Sequence, residues 1–215
     1  MPRKSGRPPK ADADASKQQI IDATIKLIKE QGAQAVTVRN VCQVADVGTG
    51  TFYFHFQNKD DLLMYFLREI PFANCELKTP IENPADRTVE LYMLLIDRYM
   101  ELGSNFMKHF YSTDNKPLSA YLGEENGTFP EGTVMARNEA DLLLAQRHGA
   151  IRSDANVHQI CMDICTIVKG CVFEWCLTDG SMGLCTTLKR IITGYCLPHM
   201  PNRMPNVYRT RYKER

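Results

Sequence analysis

The sequence predicts an all-α protein, with a small N-terminal trio of helices ahead of a larger helical body. Apolar residues recur at three- and four-residue steps along most of the 215-residue chain, and no stretch alternates as a strand does. Gly, Pro, Asn and hydroxyl residues interrupt these runs where helices start and stop.

Taken in order, Ser16-Lys17-Gln18-Gln19 forms a capping-box pattern. Ile20, Ala23, Leu27 and Ile28 then follow at helical spacing up to Gly32. Thr37 opens a short helix to about Ala45, and a second short helix spans about Gly48 to Phe54. Asn58 caps a longer helix, carrying Leu62, Leu63, Phe66 and Leu67, that meets Pro71, where a bend is expected. Asn83-Pro84 places a cap and a first-turn proline ahead of one long helix toward Phe110. The Gly- and Pro-bearing stretch 112–132 reads as loop with a short helix near Leu118–Leu122, and helices follow at about 131–148, 153–178 and 182–197.

Hydrophobic content of 44% and charged content of 24% are ordinary for a soluble domain. No apolar run reaches the length of a membrane span, and no secretory signal is expected at the basic, proline-containing start. A cytoplasmic protein without a membrane partner is therefore expected. The eight cysteines are scattered through helical patterns, which suits reduced thiols. The net charge of +1 hides an asymmetry: residues 1–60 sum to +3, 61–198 to −6 and 199–215 to +4. A basic head on an acidic body fits a protein that turns one end to a polyanion.

Thr37–Phe56 has the size and spacing of a helix-turn-helix, with its turn around Asp46. Val38, Val41 and Cys42 supply the inward face of the first helix, and Val47, Phe52 and Phe56 pack the second. That leaves Arg39, Thr49, Thr51, Tyr53, Phe54 and His55 for the outer surface, a set suited to groove and phosphate contact.

Three segments here, Thr37-Val38-Arg39, Gly50-Thr51-Phe52-Tyr53-Phe54-His55-Phe56 and Asn58-Lys59-Asp60-Asp61-Leu62, resemble the signature of the tetracycline-repressor (TetR) family. The motif resemblance covers about residues 16–65. It implies a DNA-binding transcriptional regulator, most commonly a repressor, that binds a double-stranded operator as a homodimer and answers to a small-molecule effector. It also implies roles. Thr37 and Lys59 would hold phosphates, Thr49, Thr51 and Phe54 would face base edges, and Tyr53 and His55 would bond the flanking backbone. Arg39 would meet either. Two positions depart from the family pattern: Asp46 stands where glycine is usual, and Gly48 where serine is usual.

Ahead of the head, Arg3, Lys4, Arg7 and Lys10 lie in an extended Pro-containing arm, 1–15, that resembles a minor-groove arm. The remaining divisions expected are a helix-turn-helix domain at 16–65, a ligand-binding and dimerisation domain at 66–198, and a basic tail at 199–215. The dimer is expected on two C-terminal seams at 4-3-4 spacing, Val157, Cys161, Ile164 and Val168, then Leu184, Leu188, Ile191 and Tyr195. Tyr92, Met93, Ile96, Tyr99, Phe106 and Phe110 on the long helix, with Phe129, Met135 and Trp175 opposite, are the candidate lining of a mainly apolar effector pocket.

The alternative is a thiol- or metal-responsive regulator using the C-terminal cysteines, with His158, Cys161 and Cys165 on one helical face. No tight second pair accompanies that trio and no C-x-x-C occurs, so neither metal nor cofactor is expected. No nucleophile elbow, phosphate loop or histidine–carboxylate pair stands out, so an enzyme is not expected.

Overall fold

The computed structural model describes residues 10–111 and 115–201; the side chains of residues 10–12, 33 and 109 are outside that description. The candidate arm residues Arg3, Lys4 and Arg7, the Lys10 side chain and the tail beyond residue 201 therefore lie outside the described residues. Among the described residues the fold is all-α, with no β-strand and only an isolated bridge pair between Glu125 and Thr128.

Ten helices follow in order: α1 (Lys10–Gln31), α2 (Val38–Ala45), α3 (Thr49–His55), α4 (Lys59–Arg68), α5 (Pro84–Leu102), α6 (Ser104–Phe110), α7 (Lys116–Tyr121), α8 (Val134–Arg147), α9 (Val157–Leu177) and α10 (Leu184–Cys196). Helix α1 starts at Lys10, ahead of the expected start at Ser16. Ser16 is thus internal, and its hydroxyl donates to the Ala13 carbonyl at 3.0 Å instead of capping. Asn58 does cap α4, accepting from the Asp61 amide.

The expected helix from Pro84 to Phe110 is two helices. Gly103, at φ 82° and ψ 156°, ends α5 and starts α6, a conformation open to glycine because it has no Cβ. Nor does α4 bend at Pro71. It stops at Arg68, and residues 69–83 form an irregular connector anchored by the fully buried Phe72.

That connector lacks a helical ladder, so side chains of the body satisfy its backbone. Arg137 on α8 donates through Nη1 to the Phe72 and Ala73 carbonyls at 3.0 and 2.9 Å, and through Nη2 to Cys75 at 3.3 Å. Arg87 on α5 donates to the Thr79 carbonyl at 2.6 Å. The Glu90 carboxylate accepts the amides of Lys78 and Thr79 at 2.7 and 2.8 Å. Asp141 binds both guanidinium groups, at 2.9 Å to Arg87 and 3.2 Å to Arg137, and all three side chains are largely buried. Buried charge needs such pairing to be tolerated.

Helices α5, α8, α9 and α10 pack on one another as the body, crossed by a buried polar chain. The Thr88 hydroxyl donates to Asn138 at 2.9 Å, and the Asn138 amide donates to the Cys161 sulfur at 3.6 Å. Among the described residues, head and body meet where α4 packs on α7 and where α6 packs on the 3-10 turn Ala33–Ala35 that follows α1.

Candidate nucleic-acid interface and interior chamber

Helices α2 and α3 pack on α1 through a small core of Ile20, Leu27, Val41, Ala45, Phe52 and Phe56, all buried. The turn between α2 and α3 is made by Asp46 at φ 53° and ψ 43°, whose amide donates to the Cys42 carbonyl. Aspartate tolerates this left-handed geometry better than most residues, so the helices keep their angle without glycine. At Gly48 the backbone is extended, at φ −72° and ψ 153°, and no side-chain bond caps α3.

With Phe52 and Phe56 inside, α3 turns its other aromatics outward. Tyr53 is 58% and Phe54 51% exposed, with Thr49 exposed and Thr51 half-buried on the same short helix. Arg39 on α2 and Lys59 at the start of α4 are exposed on either side. Thr37 is exposed too, but its Oγ accepts the Asn40 amide at 3.1 Å as the cap of α2, leaving the hydroxyl proton to donate elsewhere.

His55 behaves differently from its expected role. Its Nε2 lies 2.8 Å from the Ser16 Oγ, whose own proton goes to Ala13, so the ring nitrogen is the donor. Burial, helped by the nearby Lys17 ammonium, lowers the imidazole pKa and keeps the ring neutral. The remaining Nδ1 of a neutral ring then has no proton to offer a phosphate. His55 ties α3 to α1.

Within the body, Tyr92, Ile96, Tyr99, Phe106, Phe110 and Met135 are buried together in the core. Met93 is not among them. It lines an outer groove of about 480 Å³ between α5 and α10, beside Asp86, Glu90 and Lys189. Phe129 and Trp175 are both buried but far apart. Phe129 stacks on His158 at the start of α9 with ring centroids 4.6 Å apart, whereas the Trp175 indole donates to the Gly180 carbonyl near its end. Seventeen residues of helix separate His158 from Trp175, roughly 25 Å at the α-helical rise, so Phe129 and Trp175 do not line one small pocket.

Sequence reasoning named Tyr92 and Tyr99 but missed Tyr111 and Tyr121, the other hydroxyls of the interior. The Tyr111 hydroxyl donates to that of Tyr99 at 3.1 Å. Tyr92, Tyr99 and Tyr111 all feel the nearby Cys165 thiol, and Tyr99 also faces Tyr121. Burial raises the pKa of all three tyrosines, so they are protonated donors. The signal was present as spacing (Tyr92 and Tyr99 are two turns apart), but Tyr111 and Tyr121 lie beyond the Gly103 break.

The alternative thiol and metal readings lose ground here. Burial raises the pKa of Cys161, Cys165 and Cys196, the last to about 12, which suppresses the reactive thiolate. Among the described residues no group of three or more His, Cys, Asp or Glu is arranged to hold a metal. His158 instead lies between two carboxylates, Glu139 at 2.7 Å from Nδ1 and Glu124 at 2.9 Å from Nε2. This clasp fastens the α7–α8 loop to α9, and sequence spacing gave no hint of it.

The seams expected to dimerise are used within one subunit. Val157, Cys161, Ile164, Val168, Leu184 and Leu188 are buried, while Ile191 and Tyr195 are half-buried. Helix α9 is apolar around most of its circumference, so a second stripe stays open: Phe173 is 54% and Leu177 61% exposed. Met162, Thr166 and Gly170 continue that stripe at helical spacing, and a Cβ on Gly170 would meet nothing within 4 Å.

An exposed short helix presented by a helix-turn-helix, on an all-α body, defines the class of transcriptional regulators with an N-terminal reading head. Residues 20–65 match the family model described as bacterial regulatory proteins, tetR family. The transcriptional repressor KstR2 of Rhodococcus jostii (strain RHA1) is 26% identical over 210 residues, which is 89% of this chain and 98% of that protein. The regulator AcrR of Shigella flexneri is 29% identical over 92 residues, and there the chain spans only 43% of the relative's length.

Among solved structures, SmeT, the repressor of the Stenotrophomonas maltophilia multidrug efflux pump SmeDEF, aligns with a TM-score of 0.57 and 18% identity, over 89% of this chain and 94% of that one. Thermus thermophilus FadR in complex with lauroyl-CoA aligns with a TM-score of 0.55 and 14% identity, over 88% of this chain and 97% of that one. These likenesses show the fold. Over residues 20–65 the chain matches the tetR-family regulatory proteins, and the helical body shares the fold of the solved regulators.

Two outcomes follow from the geometry. Gly48→Ser, with open space for its Cβ and no need for glycine at that φ, restores a capping hydroxyl and raises stability by about 0.3 kcal/mol. A urea midpoint lower than that of the parent protein would contradict the capping account. The two carboxylates raise the His158 pKa above its ordinary 6.5, so its clasp stabilises fully below that value and fades as pH rises through the raised one. The loss of Tm in His158→Phe is accordingly larger at pH 5.5 than at pH 8.5, and a loss independent of pH would refute the clasp.

Proposed function

We propose that this chain is a homodimeric repressor that reads a pseudo-palindromic operator and releases it when a small, mainly apolar ligand enters the body. The single observation that carries the reading is the outward presentation of Tyr53 and Phe54 on α3 between the exposed cations Arg39 and Lys59. Large exposed aromatics on a seven-residue helix have no core to fill, and they suit the floor and wall of a major groove.

In this reading Thr49, Thr51 and Phe54 face base edges, while Tyr53, Lys59 and the free proton of Thr37 meet phosphates. Arg39 serves either role. His55 holds α3 at its angle through Ser16 rather than touching DNA. The cations Arg3, Lys4, Arg7 and Lys10 precede α1 or begin it, and would follow the minor groove beside the head.

The open stripe of α9, Met162, Thr166, Gly170, Phe173 and Leu177, replaces the buried seam as the proposed dimer face. Gly170 in an exposed helix interior is unfavourable alone, and close approach of a second helix gives it a purpose. Relatives support the regulatory reading: KstR2 and SmeT are repressors, and two solved proteins of similar fold, FadR and RolR, are complexes with lauroyl-CoA and with resorcinol.

The test is binding to DNA from upstream of the chain's own gene and its neighbours, titrated at several salt concentrations. The parent protein should bind one palindrome with a steep salt slope, and Lys59→Ala should flatten that slope by about one unit while weakening all sequences alike. Phe173→Glu should sediment as a monomer and lose the operator. Failure to prefer any upstream palindrome over random DNA would overturn the repressor reading.

A further inference from the structure

Among the described residues, the Oη atoms of Tyr92 and Tyr121 are both sealed from solvent, and neither has a hydrogen-bond partner. Tyr92 is 1% exposed, so its donor is buried without compensation, a state that proteins rarely keep for structural reasons alone. Tyr92 and Tyr99 both feel the Cys165 thiol and the Tyr111 hydroxyl, Tyr99 also feels Tyr121, and the hydroxyls of Tyr99 and Tyr111 are bonded to each other. The interior therefore holds a row of four tyrosine hydroxyls, of which Tyr99 and Tyr111 are bonded together and Tyr92 and Tyr121 are unbonded.

We infer that this row is the recognition element for an uncharged, ring-built apolar effector bearing a hydrogen-bond-accepting oxygen, of the ketone, quinone or ester kind, that Tyr92 Oη receives. The inference rests on the effector reading above and names the ligand class. Aromatic rings of Phe106 and Phe110, stacked 5.5 Å apart between centroids, give flat apolar wall beside the row. The largely buried guanidinium groups of Arg87 and Arg137 are already paired with Asp141 and with connector carbonyls, so neither is free to neutralise an anion. The Lys169 ammonium, which acts on Cys165, is already committed to the Leu122 carbonyl at 2.9 Å. Protonated tyrosines donate, and a neutral carbonyl oxygen accepts without bringing charge into a low-dielectric site.

One member of the row reaches the joint with the head. Tyr121 ends α7, the helix that packs on α4, and its ring feels the Arg68 guanidinium at the end of α4. An oxygen that engages Tyr121 would thus act on the element that carries the reading head.

Three isosteric probes test the class: 2-acetylnaphthalene with a carbonyl, 2-ethylnaphthalene with none, and 2-naphthoate with a charge. The full-length parent protein should gain about 2–4 °C or more in Tm with near-saturating 2-acetylnaphthalene, and clearly less with the other two. Tyr92→Phe should weaken 2-acetylnaphthalene binding about tenfold, a typical effect of losing one buried hydrogen bond, and leave 2-ethylnaphthalene unchanged. Its ligand-free Tm should hold or rise, because only an unbonded hydroxyl is removed, and Tyr121→Phe provides a second variant with the same logic. Equal or tighter binding of 2-naphthoate, or unchanged ketone binding by both variants, would overturn the inference while leaving an effector site in place. No shift with any probe would remove the inference and the effector reading together.

Discussion

The guanidinium of Arg137 is the constraint on which the arrangement of this molecule depends. The connector between α4 and α5 has no helix of its own, and its carbonyls face the body. One side chain takes three of them, at Phe72, Ala73 and Cys75, while its Nε is held by Asp141. Asp141 also holds Arg87, which takes a fourth carbonyl at Thr79. Charge-assisted bonds of this kind contribute about 1.5–3 kcal/mol each, and breaking a buried pair costs roughly 3–5 kcal/mol. An arginine suits the position because its planar fork offers several donors in fixed directions, which a lysine does not.

The clamp fastens the connector to the body, and helix packing between head and body limits how the head can move. Helix α4 rests on α7, and α6 rests on the turn after α1. Both α6 and α7 flank the tyrosine row, so a change inside the body has a short mechanical path to α3. The path runs through rigid elements and a buried charge network, both of which favour discrete positions over gradual bending.

Legibility followed the range of the interactions. The head was readable because its signals are local: Asn58 caps α4 from three residues away, Asp46 closes a tight turn, and Phe52 and Phe56 fall on one face. Even there His55 misled, because its partner Ser16 lies 39 positions away in sequence. The body was legible as helices and little more. Gly103 split one expected helix because a glycine inside an apolar pattern does not announce its φ. On α9 two apolar stripes share one helix, and spacing alone does not say which faces inward; the seam through Val157, Cys161, Ile164 and Val168 is the one that packs on the body. Arg137 reaches carbonyls 62 to 65 positions distant, and no pattern within a helix encodes that. Of the candidate lining, Tyr92 and Tyr99 lie in the core, Met93 faces the outer groove, and Phe129 and Trp175 are held near opposite ends of α9.

Hydrogen exchange on residues 69–83 in the parent protein and in Arg137→Ala, with operator affinity measured on the same samples, tests the clamp most directly. The account predicts slow exchange of the Lys78 and Thr79 amides held by Glu90 in the parent protein. In the variant it predicts faster exchange across the connector, with weakened operator binding although α3 keeps its own protection. An unchanged connector and an unchanged affinity would contradict it.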